Sequence, residues 1–355
     1  MIYALSIDWL SIFCIYAGDG SWTPVDSADF SYKMETFGTR CFSRFCRARV
    51  PNAEGGTDEF AEIQASPYSS ILPSCAVIVR FVNRSLYLPD FWEVAERFLV
   101  ANQLSCVGIS RVDICADFND FASISPRSLI EGFAAKRLRH IGRGIGALYF
   151  NHEVKNKEYG VHYTGLSFGT HSSDAHVYLY NKSFELLTQG DKPWIRDIWA
   201  NIGLDQRNVW RLEVSIKRSG LKFKDKASGD VKEIDAPALM ETSELDKIYH
   251  TFVKKLFSFI KNRTGITNVT REPRIVLFDG KPAYDRGTIR NISSGNRMER
   301  ILIKSLYQLA DTYRGAYIYD AKAQAQGFAE KLAAATGLYY WLEEKKVEWE
   351  TPVHK

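Results

Sequence analysis

The stretch Arg111-Val-Asp-Ile-Cys-Ala-Asp-Phe118 alternates without a break. Its odd positions are Arg111, Asp113, Cys115 and Asp117; its even positions are Val112, Ile114, Ala116 and Phe118. A strand turns successive side chains to opposite faces, so the pattern predicts one apolar face and one face carrying both carboxylates. Two further stretches repeat it. In residues 176–182, His176, Tyr178, Tyr180 and Lys182 oppose Val177 and Leu179; in residues 210–217, Arg211, Glu213, Ser215 and Lys217 oppose Trp210, Leu212, Val214 and Ile216. If the three share a sheet, one side packs on helices and the other gathers acids, tyrosines, arginines and lysines. The plain account of such a face is a solvated one, since antiparallel sheets commonly leave one side in water. Its mixture also suits chemistry. Carboxylates are ligands for Mg²⁺ or Mn²⁺, a nearby tyrosine can be a nucleophile, and Lys and Arg stabilise charge on a phosphoryl group. Asp113 and Asp117 lie about 13 Å apart along a straight strand, so one ion cannot bind both unless the strand bends; mid-strand Asp113 is the better ligand, and Asp117 either binds from the strand end or holds an arginine.

Elsewhere along the chain, strands are predicted at 3–16, 75–83 and 105–118, with a turn region at 18–29. Residues 146–154 and 161–169 are expected to pair across a polar turn, and 219–235 reads as an exposed loop or hairpin. Pro89 and Asp90 open a helix with Phe91, Val94, Ala95 and Phe98 on one face. Residues 126–139 and 236–262 also have helical spacing, as do 294–313 and 319–346, and 274–278 is strand-like. The expectation is an α+β chain. Residues 1–265 would form a catalytic domain, a curved, mainly antiparallel sheet backed by helices. Residues 266–355 would be a smaller, mainly helical region that binds DNA through Arg290, Arg297, Arg300 and Lys304.

Composition fits a folded chain: 355 residues, 45% hydrophobic and 25% charged. Aromatics at 13% suit a sheet and suit base stacking, and a net charge of +4 permits a local basic groove. No apolar run reaches membrane-spanning length, and Asp8 interrupts the run at 2–17, so no membrane association and a buried first strand are expected. The six cysteines form no C-x-x-C pair and read as reduced thiols of a cytoplasmic protein. The run Gly142-Arg-Gly-Ile-Gly146 lacks the lysine and hydroxyl of a Walker loop and reads as a loop. Basic clusters stand at 137–140, 222–226 and 254–255, and there is no His-x-His pair.

The ordered set Ile7-Asp-Trp-Leu-Ser11, Ser110 to Asp117, Gly169 to Asp174, Val177 to Glu185 and Trp210 to Val214 resembles the Rep_trans-type replication initiation factors. These include initiators of rolling-circle plasmids, related phage proteins and some conjugative-element relaxases. The resemblance covers about residues 3–217. It implies a metal-dependent tyrosine DNA endonuclease and strand transferase, which nicks an origin through a 5′-phosphotyrosine and starts rolling-circle replication. The family tyrosine falls on Tyr180, its lysine on Lys182 and its following acid on Glu185. Tyr178 stands where an arginine is usual and is the alternative nucleophile; Asn181 stands where an acid is usual. By the same carry-over, Asp113 and Glu213 are metal ligands with Asp117 a third, the cation being Mg²⁺ or Mn²⁺. Arg211 would pair with a carboxylate or contact phosphate. Implied partners are duplex and single-stranded origin DNA, a host helicase and a second copy of the chain. A conjugative relaxase and a non-catalytic DNA-binding protein remain alternatives.

Overall fold

A computed structural model of the chain describes residues 1–281, apart from 53–54, 156–157, 171, 225–230, 235, 237–238, 240–241, 264–267 and 270. In chain order the elements are β1 (Tyr3–Tyr16), β2 (Ser31–Met34), β3 (Phe42–Pro51), β4 (Thr57–Pro67), β5 (Ala76–Phe81), α1 (Asn83–Leu86) and α2 (Phe91–Ala101). There follow β6 (Leu104–Phe118), α3 (Pro126–Ala134), β7 (Leu138–His140), β8 (Gly146–Lys155), β9 (Glu158–Phe168) and β10 (Ala175–Asn181). The last are α4 (Lys182–Gln189), α5 (Pro193–Asn201), β11 (Trp210–Lys217), β12 (Lys222–Lys224), β13 (Val231–Glu233), α6 (Thr242–Leu256) and β14 (Phe259–Lys261). The fold is α+β, as expected.

Ten strands form one sheet in the order β2-β3-β4-β5-β1-β6-β11-β10-β9-β8, and every pairing within it is antiparallel. The three alternating stretches are thus neighbours at its centre: β6 pairs β11 and β11 pairs β10. The register keeps the predicted faces aligned. Ala116 lies opposite Leu212 and Leu212 opposite Leu179, while Asp117 lies opposite Arg211 and Arg211 opposite Tyr180. Val112, Ile114, Ala116, Leu212, Val214, Val177 and Leu179 are all fully buried. Against this sheet pack α6, whose Tyr249 hydroxyl donates to the Leu212 carbonyl at 2.9 Å, and α3, which contacts β9. A second aromatic cluster joins Phe60 and Phe81 to Phe91 and Phe98 of α2, the face its spacing predicted.

Several boundaries differ from the sequence reading. The helix expected over 126–139 ends at Ala134, because Lys136 adopts a positive φ of 57° and the chain turns into β7. The helix expected over 236–262 spans Thr242–Leu256, and its last part is β14, which pairs β7. Residues 274–278 supply a single bridge, Arg274 to Ile260, rather than a strand. Of the described residues past 265, Phe278 packs on Tyr3 and Phe118 of the sheet unit. The two C-terminal helices expected from sequence, with Arg290, Arg297, Arg300 and Lys304, lie outside the described residues.

Candidate active site

The polar face is not solvated where β6 and β11 meet. Arg211 is 0% exposed, Asp113 2% and Asp117 3%. Burying charge is expensive unless each group is paired and hydrogen-bonded. Here an alternating network does that. Arg211 donates from Nε to Asp117 Oδ1 at 2.6 Å and from Nη2 to Asp117 Oδ2 at 2.8 Å, and its Nη1 reaches Asp8. Trp199 of α5 donates its indole N–H to Asp117 at 2.8 Å. Asn83 and Tyr87 donate to Asp8 at 3.0 and 3.3 Å. Asp113 is held by Arg111, from Nε at 2.9 Å and Nη2 at 2.6 Å, and the Arg111 guanidinium lies over the Trp9 ring at 4.7 Å.

Asp8 carries a charge that the sequence reading left without a role. The β1–β6 register skips from Ile7 to Trp9, so Asp8 is the extra residue of a β-bulge. A bulge re-aims one side chain while leaving the ladder on either side intact. Burial pushes Asp8 up, but Arg211, Lys182 and Lys192 outweigh it and hold the carboxyl well below the usual range. The clue in the sequence was that Asp8 is the one charged residue in the apolar run 2–17.

Asp117 and Arg211 each take one of the two roles open to them. Both Asp117 oxygens are engaged by Arg211 and Trp199, so Asp117 holds the arginine rather than facing out from the strand end. Arg211 is sealed beneath the face with two carboxylates and does not reach a phosphate from outside.

Tyr180 and Tyr178 share the face as expected, with rings stacked at 4.7 Å, and Tyr149 packs on the outer side of Tyr178 at 5.0 Å. Gly165, opposite Tyr180, makes room for them: a Cβ there would stand 2.8 Å from the Tyr178 ring. The two hydroxyls have different surroundings. Tyr180 donates to Glu213 at 3.1 Å and receives a hydrogen bond from Lys182 Nζ at 3.4 Å. Lys182 also pairs with Glu185. Lys182 is not the last strand residue, as the alternation implied, but the first of α4. Asn181 caps that helix, accepting from the Phe184 N–H at 2.8 Å, a role for which Asn is favoured. The helix start swings the buried Lys182 ammonium back toward the tyrosine. Burial and the Glu213 carboxylate hold the Tyr180 phenol well above its ordinary value, while Tyr178 is pushed up to about 12 mainly by burial.

Glu213 is the residue whose charge is least compensated. Burial first, then the charges of Asp8 and Asp113, push its carboxyl up to about 7. Among the described residues no group of three or more His, Cys, Asp or Glu side chains stands close enough to hold a metal ion. The donor chemistry nevertheless suits a hard cation, since Mg²⁺ is commonly bound by one or two carboxylates together with substrate phosphate. Glu213 and Asp113 have that donor chemistry, but both Asp113 oxygens are engaged by Arg111, so Asp113 would serve a cation only on release from that arginine.

The raised Glu213 carboxyl has a consequence for stability. A carboxyl whose pKa is raised by folding favours the fold when protonated. That contribution is present below about pH 4.5 and is lost as pH rises through about 7. Glu213→Gln is therefore expected to melt at a higher temperature than the parent at pH 8 in chelator, with the difference vanishing at pH 4.5. Equal melting at both pH values would mean that Glu213 is not strained.

No family model matches the chain, and no curated protein matches it. Among solved structures it is similar to a chain titled "Structure of Rolling Circle Replication Initiator Protein from Geobacillus stearothermophilus". The two are 13% identical with a TM-score of 0.44, over 78% of this chain and 93% of that one.

Proposed function

We propose that the chain is a tyrosine DNA endonuclease and strand transferase that nicks an origin and so initiates rolling-circle replication. The observation that carries this reading is the trio of half-buried Tyr180 and Glu213 with buried Lys182, on a face braced by Arg211. A surface tyrosine needs no carboxylate acceptor, no buried ammonium and no locked arginine behind it. Strongly perturbed groups collected in one place are what sites of proton transfer and nucleophilic attack require.

The chemistry assigned to each residue follows from its contacts. Tyr180 supplies the nucleophile, its oxygen forming the bond to phosphorus as the bond to the 3′ oxygen breaks. Glu213 takes the phenolic proton and gives it up through solvent to the departing 3′ oxygen, so one proton leaves the tyrosine and one reaches the 3′ hydroxyl. Lys182 donates to the phenolic oxygen and stabilises negative charge there as it forms. Glu185 holds Lys182 in place, and Arg211 and Asp117 fix the strand floor beneath. A divalent cation, Mg²⁺ or Mn²⁺, held by Glu213 and Asp113, would polarise the scissile phosphate. Tyr178 serves as a neighbour that shields Tyr180 rather than as the nucleophile.

Incubation with supercoiled plasmid carrying the replicon's origin and Mn²⁺ is expected to yield nicked circles with protein attached to the 5′ end. Chelation is expected to remove the product. Duplex binding without any covalent adduct would instead make this a non-catalytic DNA-binding protein.

A further inference from the structure

We infer that a cationic cleft behind the start of β10 grips the phosphodiester backbone of duplex DNA, away from the tyrosine. The cleft, about 270 Å³, is lined by Arg143, Lys222 and Lys255, by the hydroxyl-bearing Ser173 and Ser219, and by backbone at Gly144, Gly169 and Gly220. Its three cations come from the glycine run and from two of the basic clusters of the sequence, which are far apart along the chain.

The glycines explain how these segments approach. A Cβ on Gly144 would stand 2.6 Å from the Gly169 nitrogen, and one on Gly220 would stand 2.8 Å from the Asp174 carbonyl oxygen. The Arg143 N–H donates to the Lys255 carbonyl at 3.0 Å, which ties the glycine loop to the end of α6. The glycine run therefore serves backbone packing, and its arginine is left at the cleft mouth. Arg143, Lys222 and Lys255 are all exposed, and one carboxylate, Asp174, lies among them, occupied by the Ser219 hydroxyl. Lys222 is partly offset by Glu233 at 3.6 Å. Lys254 adds a further exposed cation on the same helix as Lys255.

Exposed cations on a rigid, backbone-floored rim suit a polyanion lying across the mouth better than a small anion enclosed on all sides. The cleft starts at Ala175, five residues from Tyr180, so it stands roughly 17 Å from the reactive residue by the usual strand rise. Duplex held there would flank the nicked strand. The inference rests on the reading that the chain acts on DNA, but not on its nicking chemistry.

The test uses the full chain and a fluorescent 30-base-pair duplex, with anisotropy read across a salt series. For Arg143→Ala/Lys222→Ala/Lys255→Ala, affinity is expected to fall at least about tenfold, and the slope of log affinity against log salt to flatten by about two to three. Melting temperature is expected to hold, because the three side chains are exposed; should it fall, Arg143→Lys/Lys255→Arg must bind as the parent does. Adduct formation on a short single-stranded origin oligonucleotide is expected to be unchanged. Unaltered affinity and slope in the triple variant would overturn the cleft even if the parent nicks. The expected loss of binding together with no adduct in the parent would leave the cleft standing and remove the nicking reading. Displacement of duplex by inorganic phosphate at matched ionic strength would reassign the cleft to a small anion.

Discussion

Tyr180→Phe is expected to abolish the covalent adduct, lowering its rate by at least about a thousandfold, whereas Tyr178→Phe keeps most of it. The difference rests on one atom each. The phenylalanine ring would still stack on Tyr178 and fill the same volume, so the fold and DNA affinity are expected to survive. What disappears is the oxygen that Glu213 accepts from at 3.1 Å and that Lys182 donates to at 3.4 Å. The Tyr178 hydroxyl lies on the same face, but its ring sits between Tyr149 and Tyr180 and contributes packing. Removing it costs an edge contact and no proton acceptor. A quantitative gel of adduct against time, with both variants at equal DNA occupancy, separates the two cases.

Arg211→Ala is expected to be the most damaging substitution to stability, at about 3–5 kcal/mol, read as a lowered midpoint in urea. The side chain is fully buried and answers two carboxylates from strands far apart in the chain. Its loss leaves the buried Asp117 carboxylate with only the Trp199 N–H and takes from half-buried Asp8 its strongest compensating charge, and the penalty of an orphaned buried charge exceeds the worth of the pair itself. Arg211→Lys is expected to recover only part, because a single ammonium cannot meet Asp117 through two parallel bonds and still reach Asp8. A loss under about 1 kcal/mol for Arg211→Ala would mean that water enters beneath the face. That result would also weaken the case for a preorganised site.

The faces of the central strands were legible because period-two alternation survives in β6, β10 and β11, and an antiparallel register aligns like with like. The helix of residues 91–101 was legible from its Asp start and apolar spacing. What alternation could not show is that the polar face is covered. Trp199 and Asn83 close over it from helices whose placement depends on tertiary contacts, so a face that reads as solvated is in fact a buried ion lattice. Asp8 was visible as an interruption, but its partner Arg211 is 203 residues away, and only the bulge aims the two at each other. Asp117 and Arg211 were legible as face residues with two tasks open to each, because two charges opposite each other can bind a ligand or bind one another; the structure pairs them. The end of β10 misled for a local reason: Asn181 starts a helix where the alternation would continue the strand. The distant basic clusters each read as an ordinary surface until Gly144 and Gly220 let their segments meet.

In the proposed reaction, Tyr180 supplies the oxygen that joins protein to DNA. The most direct measurement is mass spectrometry of the adduct formed on a short single-stranded origin oligonucleotide, trapped, digested and sequenced. One nucleotide-bearing peptide is expected, modified at Tyr180, and it disappears in Tyr180→Phe. Modification at Tyr178, or an adduct that persists unchanged in Tyr180→Phe, would contradict this assignment.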